Sequence, residues 1–236
     1  MEIKLNKKIK GPIIIEGFPG IGLIGTISTE FLIKHLGAEP VGSIESKKLL
    51  PIVAVHESRL AKPLELFYAK KQNLLIIHAL SAVQGMEWEI AGALKELCKK
   101  VNAKEIISIE GIMSATDAPE AYFWADKASI INKFRSKEVK PLKEGIIMGV
   151  TAALLLTNKG IDASGIFVGT HSKLPDSRAA AKIIEILDKY LGLNIDYKPL
   201  LVAAEQFEKK LKELVNQTQS AMKHKKIRSK NLDYLG

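Results

Sequence analysis

The chain has 236 residues, 47% of them apolar, and a formal net charge of +9, so it carries enough apolar material for a sizeable core in one large domain or two small ones. Its one cysteine, Cys98, excludes an internal disulfide, and its longest apolar run, Gly145 to Leu156, is too short to cross a bilayer. No apolar signal region follows the charged start Met1–Lys10, and the expectation is a soluble cytoplasmic protein with no membrane contact.

Ile13–Glu16 predicts a short apolar strand. The next segment, Glu16-Gly17-Phe18-Pro19-Gly20-Ile21-Gly22-Leu23-Ile24-Gly25, leads into a helix expected from Ile21 to Leu36, with Ile24, Ile27, Phe31 and Leu36 on its buried stripe and Gly37 as its stop. Strands are predicted at Val41–Glu45, Ile52–His56, Leu64–Tyr68 and Leu74–Ala79; the uninterrupted apolar run of the last suits a central strand. Met86–Lys100 reads as an amphipathic helix, and Cys98 shares its apolar stripe with Ile90, Ala91, Leu94, Leu97 and Val101, which makes it a core thiol.

Ile106–Met113 predicts another strand and Ser114–Pro119 a turn-rich loop. Tyr122, Phe123 and Trp124 precede a helix over Asp126–Arg135; they form either a subunit interface or a buried edge strand. A strand is expected at Gly145–Met148, a buried helix at Val150–Thr157 and a strand at Ile166–Val168. The last third is helical. One helix opens at Pro175, buries Ile183, Leu187 and Leu191 and ends at Gly192; the next has Pro199 in its first turn and the stripe Leu200, Ala204, Phe207, Leu211, Leu214 or Val215, and Met222. This alternation of strands and helices predicts a single α/β domain over residues 1–222. Residues 223–236 form a flexible basic tail in which Lys223, Lys225, Lys226, Arg228 and Lys230 account for about five of the nine net charges. No aromatic platform or nucleic-acid motif accompanies the tail, which points away from nucleic acid. Abundant Lys, Glu and Ile hint at a thermophile.

The glycine cluster admits two readings. Gly20-Ile21-Gly22-Leu23-Ile24-Gly25 has the G-x-G-x-x-G spacing that brings backbone N–H groups to a pyrophosphate, and Glu45 stands about 20 residues on, where a ribose-binding acid belongs. Against this, Gly17-Phe18-Pro19 separates strand from turn, and Pro19 removes a donor. In the other reading Gly17, Pro19, Gly20, Gly22 and Gly25 form a structural turn that lets helix lie close to sheet. The five histidines show no metal-ligand spacing, so no metal or cofactor is expected. His78 with Ser81, at a strand end, and Thr170-His171-Ser172-Lys173-Leu174-Pro175-Asp176, between strand and helix, are the remaining polar clusters; in the second, Ser172 or Asp176 serves as a helix cap. Glu110 and Asp117 are carboxylates that nothing in the sequence brings together.

Four segments together resemble the archaeal branch of the proteasome assembly chaperone family: Glu16–Gly25 with the helix through Leu36-Gly37-Ala38; Ile109-Glu110-Gly111; Gly145–Gly149 with its apolar helix; and Pro175–Ala180 followed by Leu191-Gly192-Leu193-Asn194-Ile195-Asp196 and a long helix. The resemblance implies a three-layer α/β sandwich around a mixed, mainly parallel sheet, related in shape to nucleoside phosphorylases but without their catalytic residues, with long C-terminal helices. It implies a noncatalytic homo-oligomer that binds proteasome α subunits, with or without a paralogous chaperone subunit. Some members end in a hydrophobic residue, a tyrosine and one final residue that enter pockets between α subunits. Here the end is Leu232-Asp233-Tyr234-Leu235-Gly236, so Leu232, Tyr234, Leu235 and Gly236 are the partner-binding candidates, with the tyrosine one position early and the carboxylate displaced by up to about 3.5 Å. The competing expectation is a nucleotide- or nucleoside-binding enzyme that uses the Gly20–Gly25 turn.

Overall fold

The structure is a computed structural model that describes residues 1–205 apart from 57, 82, 115–117, 158 and 171–173. In chain order its elements are β1 (Glu2–Leu5), β2 (Ile13–Gly17), a short 3-10 turn (Ile21–Leu23), α1 (Ile24–His35), β3 (Glu39–Glu45), β4 (Ala54–His56), β5 (Arg59–Ala61), β6 (Leu64–Ala69), β7 (Leu74–Ala79), α2 (Glu87–Val101), β8 (Glu105–Met113), β9 (Ala121–Ala125), α3 (Ala128–Arg135), β10 (Lys140–Pro141), α4 (Gly149–Thr157), β11 (Ala163–Thr170) and α5 (Ser177–Leu191). Residues 198–205 are helical as well.

Nine strands form one sheet in the order β1-β3-β6-β7-β2-β8-β11-β9-β10, and β4 and β5 pair separately as a hairpin. The centre, β7-β2-β8-β11, is parallel, while β1, β3, β6 and β7 pair antiparallel along one side. Strands flanked on both sides and covered on both faces need apolar residues throughout. That requirement explains the runs at Leu74–Ile77 and along β11, where every residue is buried.

Successive strand residues point to opposite faces. Ile15, Ile107 and Ile109 join α1, α3, α5 and Leu200 in one core, while Ile14 and Ile106 join α2 and α4 in the other. The molecule is therefore a three-layer α/β sandwich. The α2 stripe from Ile90 to Val101, Cys98 included, is buried as the periodicity required. Gly37 stands at a φ of 58° just past α1, and Gly192 caps α5 at a φ of 68°. Asp176 is the N-cap of α5, accepting from the Ala179 N–H at 2.9 Å.

Three strands, β1, β5 and β10, have no counterpart in the sequence reading. The strand expected at Gly145–Met148 does not exist. Those residues are irregular, with Ile146 83% and Met148 62% exposed. The reason is topological. α3 lies on the α1/α5 face and α4 on the opposite one, and the sheet edge beside β9 is taken by β10, so this apolar stretch passes between the faces instead of pairing. Phe207, Leu211, Leu214, Val215, Met222 and the basic tail lie outside the described residues.

Candidate functional site

The loops after β2, β7, β8 and β11 meet at the C-terminal edge of the parallel strands, where α/β proteins gather their functional groups. The glycine turn sits there. A Cβ on Gly17 would come within 2.5 Å of the Gly25 carbonyl oxygen, and one on Gly25 within 3.0 Å of the Ile109 carbonyl oxygen. The start of α1 thus lies backbone against backbone on β2 and β8, a separation that any side chain would prevent. Gly22 adopts a φ of 67°, and its carbonyl oxygen accepts the Asp176 N–H at 2.9 Å. Pro19 is half-buried and Gly20 exposed at the rim. The Thr170 hydroxyl donates to Asp176 Oδ2 at 2.7 Å, so Thr170 and Asp176 are tied to the glycine turn, about 150 residues away in the chain. His171 and Ser172 lie outside the described residues.

Residue parity builds a second feature that sequence reasoning missed. Glu16 follows Ile14 by two positions, and Ser108 and Glu110 follow Ile106 by two and four, so all three aim at the α4 face; Glu16 and Ser108 are direct partners in the β2–β8 register. Thr151, in the first turn of α4, bonds to Glu16 Oε1 at 3.4 Å and also reaches Glu110. Glu16 is 0% exposed. Burial, reinforced by the Glu110 charge, pushes its carboxyl up to about 8, and burial pushes Glu110 to about 7. Glu16 Oε2, Ser108 Oγ and Glu110 Oε2 are buried without a protein partner. Glu110 thus has a neighbouring carboxyl, Glu16; Asp117 lies outside the described residues. The legible signal was the two-residue spacing from Ile14 and Ile106.

His78 is drawn inward instead. Its Nδ1 meets the Thr29 hydroxyl at 2.9 Å, and burial lowers its pKa. Of the aromatic run, Phe123 is 2% exposed and stacks on Phe134 at 4.7 Å, which in turn stacks on Tyr190 at 4.1 Å. Phe123 therefore belongs to the core, and only Tyr122 and Trp124, both half-buried, present any surface. More exposed apolar residues lie elsewhere: Ile146 (83%), and Val55 (72%) and Leu60 (61%) on the β4–β5 hairpin, with Leu50 and Val53 just before it. Arg59 holds this hairpin to the sheet through two bonds to the Glu65 carboxylate, at 2.5 and 3.2 Å. Leu232, Tyr234, Leu235 and Gly236 lie outside the described residues.

Fold and edge together define a three-layer α/β protein with closely packed glycines at the C-terminal edge of its parallel strands and apolar groups turned to solvent. More particularly, the chain belongs to the PAC2 family, whose pattern matches residues 14–215. It is similar to the crystal structure of Pyrococcus furiosus PbaA, an archaeal homologue of proteasome-assembly chaperone, with a TM-score of 0.83 and 31% identity over 98% of both chains. Pyrococcus furiosus PbaB, an archaeal proteasome activator, shares the fold at a TM-score of 0.78 and 23% identity, over 90% of this chain and 98% of that one. An uncharacterized protein of Methanocaldococcus jannaschii is 30% identical over 233 residues, 97% of this chain and 93% of the relative.

Proposed function

We propose that the chain is a noncatalytic, homo-oligomeric factor that binds the proteasome, as an assembly chaperone or activator, and engages its α subunits. The observation that carries this reading is the likeness to PbaA along 98% of both chains at 31% identity. The glycine turn agrees with it. Gly17 and Gly25 are used up by backbone contacts within the fold, which supports a packing role over a phosphate cradle. The exposed apolar side chains of the β4–β5 hairpin and of Ile146 and Met148 support association with other polypeptides. The hairpin is the self-association surface.

In this proposal the tail ending in Leu232, Tyr234, Leu235 and Gly236 is the handle. A flexible segment loses entropy when it is ordered, so one tail binds weakly. An oligomer carries several, and once one is held the others act at raised effective concentration. The basic residues Lys223–Lys230 add attraction to an acidic surface.

The test is a pull-down of purified proteasome α subunits by the full chain and by a chain lacking residues 232–236, with native mass measured in parallel. The full chain is expected to retain α subunits and the truncated chain to lose them while keeping its own oligomeric mass. Equal retention by both would remove the tail from the mechanism. No retention by the full chain would overturn the reading itself.

A further inference from the structure

A cavity of ≈220 Å³ opens at the C-terminal edge of β2 and β8. Its polar lining comes from Glu110, Thr151, Glu87 and Gln84, with Phe18, Val83 and Met148 among its apolar walls. Glu16 stands behind Thr151, fully buried, with Oε2 lacking any protein partner. Among the described residues no lysine, arginine or histidine lines the cavity.

We propose that this cavity is a binding site for a primary ammonium group carried on a short alkyl chain. Three features argue for it. First, the described lining is acidic and holds no cationic side chain, and buried carboxyls are stabilised by a positive partner. An ammonium offers three donors, which suit the lining oxygens of Glu110, Thr151 and Glu87, with the carboxyl of Glu16 behind Thr151 as a second layer of negative charge. Second, Phe18, Val83 and Met148 match an aliphatic stem, as when a lysine buries its methylenes and keeps its head on polar atoms. Third, the size is right for one such group, since the cavity falls below the roughly 300 Å³ at which pockets for larger ligands begin. A metal ion fits less well: among the described residues no group of three or more His, Cys, Asp or Glu side chains is arranged to hold one. Gln84 and Met148 are exposed at the mouth, which leaves an entry path from solvent.

The same chemistry can arrive on a free alkylamine or on a lysine of a partner polypeptide. The site does not depend on the proteasome reading, and the assay uses the full chain alone. Calorimetric titrations at pH 6.5 and 7.5 with n-butylammonium chloride, with n-butanol as its neutral counterpart and with the tripeptide acetyl-Gly-Lys-Gly-amide separate the cases. Butylammonium is expected to bind saturably and to release about half a proton from Glu110, so that affinity rises about threefold over that pH unit. Glu110→Gln is expected to weaken binding at least tenfold and n-butanol to give no saturable heat. Tripeptide binding as tight as butylammonium would assign the site to a partner's lysine, and binding of butylammonium alone to a small amine; either outcome supports the site. Absence of saturable heat with either amine at pH 7.5, equal binding of n-butanol, or an unchanged Glu110→Gln variant would overturn it. If Glu110→Gln fails to fold, Met148→Trp at the exposed mouth takes its place, and undiminished binding in that variant is equally fatal.

Discussion

Replacing Glu16 by glutamine tests whether its carboxyl is held neutral by burial. The folded chain keeps a proton on Glu16 up to about pH 8, against an ordinary 4.5 for an exposed glutamate. Between those values the folded state binds more protons than the unfolded state, so stability falls as pH rises, and the loss is complete above pH 8. At 1.36 kcal/mol per pH unit the whole window is worth about 5 kcal/mol. Glutamine occupies the same volume but does not ionise. Its buried amide leaves a donor unsatisfied at a cost of about 1–3 kcal/mol, and that cost is the same at every pH. Urea unfolding of both proteins at pH 4.5, 6 and 8 therefore isolates the proton term, because the amide cost and all remote titrations cancel in the change of the gap between them. Glu16→Gln is expected to gain on the parent by about 3–5 kcal/mol between pH 4.5 and 8. A gap that stays constant within about 1 kcal/mol would show that the Glu16 carboxyl is solvated and ionised, and the account of the buried pair would fail with it.

Gly17→Ala puts a Cβ within 2.5 Å of the Gly25 carbonyl, with only backbone nearby to give way. It is expected to cost about 3 kcal/mol by chemical denaturation, and a loss below about 0.5 kcal/mol would show that α1 does not rest on β2 in this way. On the hairpin, Val55→Lys with Leu60→Lys alters only exposed side chains, so it is expected to leave the unfolding free energy of the separated subunit within about 0.5 kcal/mol while lowering the native mass in sedimentation. An unchanged mass would remove the hairpin from the proposed self-association.

Local patterning made much of the architecture legible. The apolar run Leu74–Ile77 announced a central strand, and the stripe Ile90–Val101 announced a helix with Cys98 on its inner face. Both signals arise within a few residues, because side-chain period follows directly from backbone geometry. Gly145–Met148 shows where such reading stops. Its apolar composition is the same for a strand and for an exposed crossing, and only the occupation of the sheet edge by Lys140–Pro141 decides between them.

The candidate site divides in the same manner. From its residues alone the chain declared the glycine cluster before α1, a helix cap at Ser172 or Asp176, and the family membership that those motifs carry; the structure gives the cap to Asp176. It could not declare that Glu16 and Glu110 face one another across Thr151, or that Phe123 is core while Val55 and Leu60 meet solvent. Those facts depend on which strands become neighbours and which helix covers each face. Such choices are made by contacts among residues distant in the chain, and a sequence carries no local mark of them.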